Sequence, residues 1–107
     1  MIKLLLTIGD VATNEFNLAK PQVSIGRNDD NDIVLDDPLV SGHHTLIIVG
    51  DGSRALLLQD LNSTNGTRIN GQDVRNAPLK HGDAIHIGRC VLRVHDDTVH
   101  TPTKSQN

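Results

Sequence analysis

Thr67-Arg68-Ile69-Asn70-Gly71-Gln72-Asp73-Val74 is the stretch that decides the fold class. It reads as two short extended segments joined by Asn-Gly. Asn and Gly enter the left-handed region at least cost, and a two-residue turn built from them matches the twist of paired strands. A β-hairpin is expected here. Outward along the chain the same pattern recurs: short apolar runs separated by Gly9-Asp10, Gly50-Asp51-Gly52, Asn65-Gly66 and Gly82-Asp83. The candidate strands are Ile2–Ile8, Glu15–Leu18, Val23–Arg27, Ile33–Leu35, Thr45–Val49, Arg54–Gln59, Thr67–Ile69, Ala84–Ile87 and Val91–Val94. No stretch carries a helical period. Many short strands punctuated by turn residues imply a sandwich or barrel.

Composition agrees. The chain has 107 residues, which fits one domain. With one Phe and neither Trp nor Tyr, its core must be built from Ile, Leu and Val, residues that favour strands. There is no apolar run of the roughly 18 residues needed to cross a bilayer. Met1 to Ile8 lacks a basic n-region and a cleavage site, so it reads as a strand and not as a signal peptide. The single cysteine, Cys90, cannot form an internal disulfide, which fits a reducing cytoplasm. A net charge of −3 argues against a nucleic-acid partner.

The loops hold more information than the strands. Three segments carry an isolated arginine, small hydroxyls, amides and tight glycines: Gly26-Arg27-Asn28, Ser41-Gly42-His43-His44 and Asn62-Ser63-Thr64-Asn65-Gly66-Thr67. Loops at one end of a sandwich converge although they are distant in sequence. A guanidinium fork, hydroxyl donors and exposed N–H groups together suit a dianionic phosphate. The order Gly26-Arg27, Ser41-x-x-His44, Asp60-x-x-Ser63-Thr64-Asn65-Gly66-Thr67, Asn70-Gly71 and Leu79-x-x-Gly82-Asp83 resembles the forkhead-associated (FHA) domain, over about Val23 to Val94.

That resemblance implies an all-β, two-sheet β-sandwich of about eleven strands, FHA/SMAD-like, spanning residues 1–96, with 97–107 a flexible polar tail. It further implies a phosphothreonine-dependent peptide-binding adaptor in kinase signalling, without enzymatic activity, cofactor, metal or membrane contact, and with a Ser/Thr kinase upstream. In such a site Arg27 is the main phosphate ligand and Ser41 donates its hydroxyl to the same group. Thr64 adds a hydroxyl or its N–H, and Asn65 bonds the ligand main chain. Gly26, His44, Gly66 and Thr67 support the loops. One departure is expected to weaken binding: the position after the loop serine is often Arg or Asn in the family and is Gly42 here. The acidic residues Asp29, Asp30, Asp32, Asp36 and Asp37 near the Arg27 loop are expected to repel acidic ligand flanks, favouring neutral, apolar or basic residues after the phosphothreonine.

Other readings carry less of the sequence. No Gly-x-Ser-x-Gly elbow accompanies Ser41 and His44, against a hydrolase. His43 and His44 are adjacent and point apart in an extended segment, against a shared metal ion. Cys90 at a strand start reads as a core residue. Thr101-Pro102-Thr103 in the tail is a candidate phosphorylation site. A phospho-independent assembly or oligomerisation module on the same scaffold is the alternative function.

Overall fold

Short apolar runs and turn residues resolve into eleven β-strands in the computed structural model, which describes residues 2–50 and 56–96. In chain order they are β1 (Ile2–Ile8), β2 (Val11–Asn17), β3 (Gln22–Gly26), β4 (Ile33–Val34), β5 (Thr45–Val49), β6 (Leu56–Asp60), β7 (Thr67–Ile69), β8 (Gln72–Val74), β9 (Asn76–Leu79), β10 (Ala84–Ile87) and β11 (Cys90–Asp96). One sheet has the order β2-β1-β11-β10-β7-β8, the other β4-β3-β5-β6-β9. All pairings are antiparallel except β3 with β4. Among the described residues no helix is long and apolar enough to cross a membrane. The expected tail 97–107, with Thr101 and Thr103, lies outside the described residues, as does Arg54.

Period-two burial makes the sandwich. β1 buries Ile2, Leu4 and Leu6, and β11 buries Cys90, Leu92 and Val94, while the residues between them lie closer to solvent. The facing sheet contributes Val23, Ile25, Ile47, Leu56 and Leu58. The core is almost wholly aliphatic, with Phe16 packed at its margin. Cys90 is 2% exposed, and burial pushes its thiol pKa up, as suits a packed residue.

One strand, β9, went unforeseen, β8 was expected as the far arm of the hairpin and not as a strand with its own apolar pattern, and β2 was placed short. β8 and β9 carry no apolar alternation, and β2, of which only Glu15 onward was expected, is exposed along nearly its whole length. All three are sheet edges. Their pairing rests on main-chain bonds to one neighbour, so their side chains need no pattern. Pro78 sits in β9 opposite Leu57 on such an edge, where its missing N–H disrupts no ladder.

The expected hairpin forms between β7 and β8, with φ of 53° at Asn70 and 87° at Gly71. Asn70 does more than turn the chain. Its amide donates to Asp83 (3.0 Å), and its carbonyl oxygen accepts the Ala84 N–H (3.0 Å). Asp83 also receives the Lys80 N–H and ammonium (2.9 and 3.0 Å). The Asn70-Gly71 and Leu79-x-x-Gly82-Asp83 signatures are thus one cluster, joining the hairpin to the β9–β10 turn.

Candidate functional site

Three loops meet at one end of the sandwich, each launched from a strand end. Arg27 directly follows β3. Its N–H donates to the Ser41 carbonyl (3.0 Å), and the Asn28 N–H donates to the Gly42 carbonyl (3.1 Å), a two-rung ladder between segments 14 residues apart. The Ser41 hydroxyl oxygen accepts the Thr64 N–H (3.0 Å), drawing in the β6–β7 loop. The Asn65 amide donates to the Leu39 carbonyl (2.9 Å). The contacts therefore run along the rim in the order Asn28 with Gly42, Arg27 with Ser41, then Thr64, then Asn65.

His44 is fully buried beneath this rim. Its Nδ1 accepts the Ser41 N–H (3.0 Å), so Nε2 carries the proton and donates to the Gly66 carbonyl (2.8 Å). One neutral imidazole thus spaces the serine loop from the Thr64–Gly66 loop, and both ring nitrogens are occupied. His43 points outward instead, bonding Asp30 (2.9 Å). Among the described residues no three His, Cys, Asp or Glu side chains gather as a metal site.

Gly26 is buried at the foot of the ladder. A Cβ there would overlap the Gly42 carbonyl oxygen, a main-chain atom that cannot swing aside. Gly66 has φ of 84°, closing the turn that presents Asn65. Thr67 is fully buried, donating to Asp60 (2.7 Å) and bonding the Thr45 hydroxyl (3.0 Å).

What the rim leaves free defines its chemistry. The exposed Arg27 guanidinium has no hydrogen-bond or ion-pair partner among the described residues, nor does the Thr64 hydroxyl. Ser41 accepts through its oxygen, which leaves its O–H to donate. Since the Thr64 N–H is committed to Ser41, the hydroxyl is the donor Thr64 can offer. One fixed cation and two hydroxyl donors suit an oxyanion. Shallow depressions of about 490 and 240 Å³ flank the Asn65–Gly66 turn; Arg75 and Val74 line the first, Leu39, Arg68 and His86 the second. Arg27 and Ser41 line neither.

Several contributors were not legible in the sequence. Asn31 is 7% exposed and its amide clasps two carbonyls, of Asn28 (2.8 Å) and Gly42 (2.7 Å), holding the first two loops together. Asp60 accepts the Ser63 hydroxyl and N–H as well as Thr67. Asp37, read as part of a repulsive acidic field, is buried. It receives the Leu39 N–H (2.9 Å), the Arg89 N–H (2.9 Å) and the Arg89 guanidinium (3.3 Å), fixing the segment before Ser41 against the β10–β11 turn. Asp32 is tied to Lys20 and Ser24, and Asp30 to His43. Of the five expected carboxylates, Asp32 and Asp37 are paired with Lys20 and Arg89, and Asp29, Asp30 and Asp36 remain exposed without a Lys or Arg partner among the described residues. The Asp-x-Leu and Asp-x-x-Ser spacings are the signals that could have marked Asp37 and Asp60 as turn acceptors.

These carboxylates make loop stability sensitive to acid. The Leu39 N–H, opposed by burial and aided by Arg89, holds the Asp37 carboxyl below its ordinary value of 3.8. Burial raises Asp60 and Asp83, but the Ser63 and Thr67 donors at Asp60 and the Lys80 and Asn70 donors at Asp83 outweigh it. Depressed folded values stabilise the charged form. Their contribution is complete well above 3.8 and is lost as pH falls through the lower folded values. The melting temperature is expected to stay level between about pH 7 and pH 5 and to fall steeply below about pH 4, with a shallower fall in Asp37→Asn. A flat profile down to about pH 3 would contradict this.

Fold and rim together define a small β-sandwich module whose loops gather an arginine and hydroxyl donors at one edge. The chain belongs to the FHA domain family, whose model matches residues 23–88; FHA domains are binding modules. Among curated proteins it is similar to the glycogen accumulation regulator GarA of Mycolicibacterium smegmatis, 37% identical over 86 residues, covering 80% of this chain and 53% of that protein. It thus spans about half of that relative's length. Among solved structures it resembles the FhaA FHA domain complexed with the intracellular domain of Rv3910 (TM-score 0.80, 36% identity, 89% of this chain and 100% of that one). It also resembles an FHA domain studied for phosphothreonine-dependent interactions (TM-score 0.79, 34% identity, 91% and 99%).

Proposed function

We propose that this domain binds phosphothreonine-containing peptides and serves as an adaptor in kinase signalling, contributing no catalysis of its own. The observation that carries the reading is the convergence, in an FHA family member, of the Arg27, Ser41 and Thr64 segments, with an arginine side chain that has no partner among the described residues and two hydroxyls free to donate. Arg27 takes the phosphate, with Ser41 and Thr64 adding hydroxyl donors. Asn65 fixes the ligand main chain, and Gly26, His44, Gly66 and Thr67 keep the loops in register. The phosphothreonine-dependent interactions of one structural relative and the complex formed by another support the same reading. The partner is a phosphothreonine protein made by an upstream Ser/Thr kinase. No cofactor, nucleic acid or membrane enters the reading. The lone, buried Cys90 suits work in the cytoplasm.

The test is a titration with matched threonine, phosphothreonine and phosphoserine peptides from a degenerate library. Phosphothreonine pools are expected to bind at least about 100-fold more tightly than unphosphorylated ones, since a charged, multiply hydrogen-bonded group is lost with the phosphate. Equal binding of both forms would favour the assembly-module alternative.

A further inference from the structure

We infer that Asn28 is a further ligand-binding residue of this site, its side-chain amide hydrogen-bonding the main chain of the bound peptide beside the phosphorylated residue. The inference rests on the phosphopeptide reading and concerns a residue to which that reading assigns no role.

Placement comes first. The two-rung ladder puts Arg27 beside Ser41 and Asn28 beside Gly42, so Asn28 extends the row of contacts past the phosphate ligands, at the end opposite Asn65. Its amide lies against Gly42: a Cβ at position 42 would come within 2.8 Å of Asn28 Nδ2 and 3.0 Å of both Cγ and Oδ1. The space that a side chain after Ser41 would enter is already held by the Asn28 amide. Gly42 is not among the residues with positive φ, so its backbone admits an L side chain, and the flexible end of Asn28 stands in the way. Positions 28 and 42 contest one space.

Chemistry comes second. Two nearby asparagines direct their amide donors into the protein, Asn31 to two carbonyls and Asn70 to Asp83, with the Asn70 carbonyl oxygen taken by Ala84; Asn65 donates once, to Leu39, and keeps its Oδ1 for the ligand. Asn28 is exposed, and neither its Nδ2 nor its Oδ1 has a partner among the described residues. An amide offers a donor and an acceptor side by side. That pair matches a peptide group, which has one of each; a phosphate dianion has acceptors alone and would be repelled by Oδ1. The neutral complement of Asn28 is therefore the ligand main chain, flanking the charge that Arg27 takes. The expected weakening from Gly42 is offset accordingly.

The experiment is isothermal titration of a phosphothreonine peptide into wild-type protein, Asn28→Ala, Gly42→Asn, the double variant Asn28→Gly/Gly42→Asn, and Arg27→Ala, with melting temperatures recorded for each. Asn28→Ala is expected to bind about tenfold more weakly, the loss of about one to two hydrogen bonds, with an unchanged melting temperature. The double variant, which moves the amide across the shared space, is expected to return to within about threefold of wild type, a non-additive result. Wild-type affinity in Asn28→Ala, alongside a large loss in Arg27→Ala, overturns the role of Asn28 and leaves the phosphopeptide reading standing. A merely additive loss in the double variant overturns it too. Wild-type affinity in Arg27→Ala overturns the phosphopeptide reading itself.

Discussion

Arg27→Ala is expected to weaken phosphopeptide binding by about 2–4 kcal/mol, roughly 30- to 1000-fold, with little change in thermal stability. The two halves of that expectation have separate causes. The guanidinium makes no hydrogen bond or ion pair among the described residues, so the folded protein loses nothing when it goes. Only the Arg27 main chain is used, through its N–H to Ser41, and alanine keeps that bond. In the complex the same group supplies a planar fork of donors to a doubly charged ester, a pairing that a point charge reproduces in part. Arg27→Lys should therefore fall between wild type and alanine, and its residual affinity should decline more steeply with salt. Titration calorimetry with one phosphothreonine peptide, paired with melting curves, reads both halves at once. Undiminished affinity in Arg27→Ala would remove the arginine from the site.

His44→Ala should strike the fold instead. The ring is fully buried and bridges two loops through 3.0 and 2.8 Å bonds. Truncation leaves a cavity and strands the Ser41 N–H and the Gly66 carbonyl, for a loss of about 3–5 kcal/mol. For a domain of this size that corresponds to a melting temperature lower by about 15 °C or more. Peptide affinity should fall with it, because the spacing between Ser41 and Thr64 depends on the imidazole. His44→Gln can offer an acceptor to Ser41 and a donor to Gly66, and a partial recovery of the melting temperature is expected. A His44→Ala protein melting within about 3 °C of wild type would show that the bridge is dispensable. The contrast between the two variants is diagnostic. Arg27 belongs to the ligand, His44 to the scaffold that aims it.

The exposed carboxylates Asp29, Asp30 and Asp36 bear on ligand choice. With Asp37 and Asp32 paired with Arg89 and Lys20, the exposed carboxylates Asp29, Asp30 and Asp36 remain to disfavour acidic flanks. The charges lining the depressions beside Asn65 include Arg68, His86 and Arg75 as well as Asp60 and Asp73.

Much of this architecture is written locally. The aliphatic, β-branched core and the glycine-bearing turns state an all-β chain, and Asn70-Gly71 states a hairpin whose φ values follow from the two residue types. Arg27, Ser41, Thr64 and Asn65 stand out in the sequence as phosphate- and amide-binding residue types set in the order of the FHA motifs, and all four lie along one rim. The edge strand β9 and the start of β2 escaped because an edge is held by main-chain bonds and leaves no side-chain period to read.

Tertiary structure alone decided which polar residues are spent and which are free. Asp37 and Asn31 look in sequence like the exposed Asp36 and Asn28 beside them, yet the first pair is buried in the frame and the second is left at the surface. The space over Gly42 is likewise filled from 14 positions away. A residue's type sets which bonds it can make; which of them the protein has already made depends on neighbours distant along the chain, and those neighbours exist only once the loops have closed.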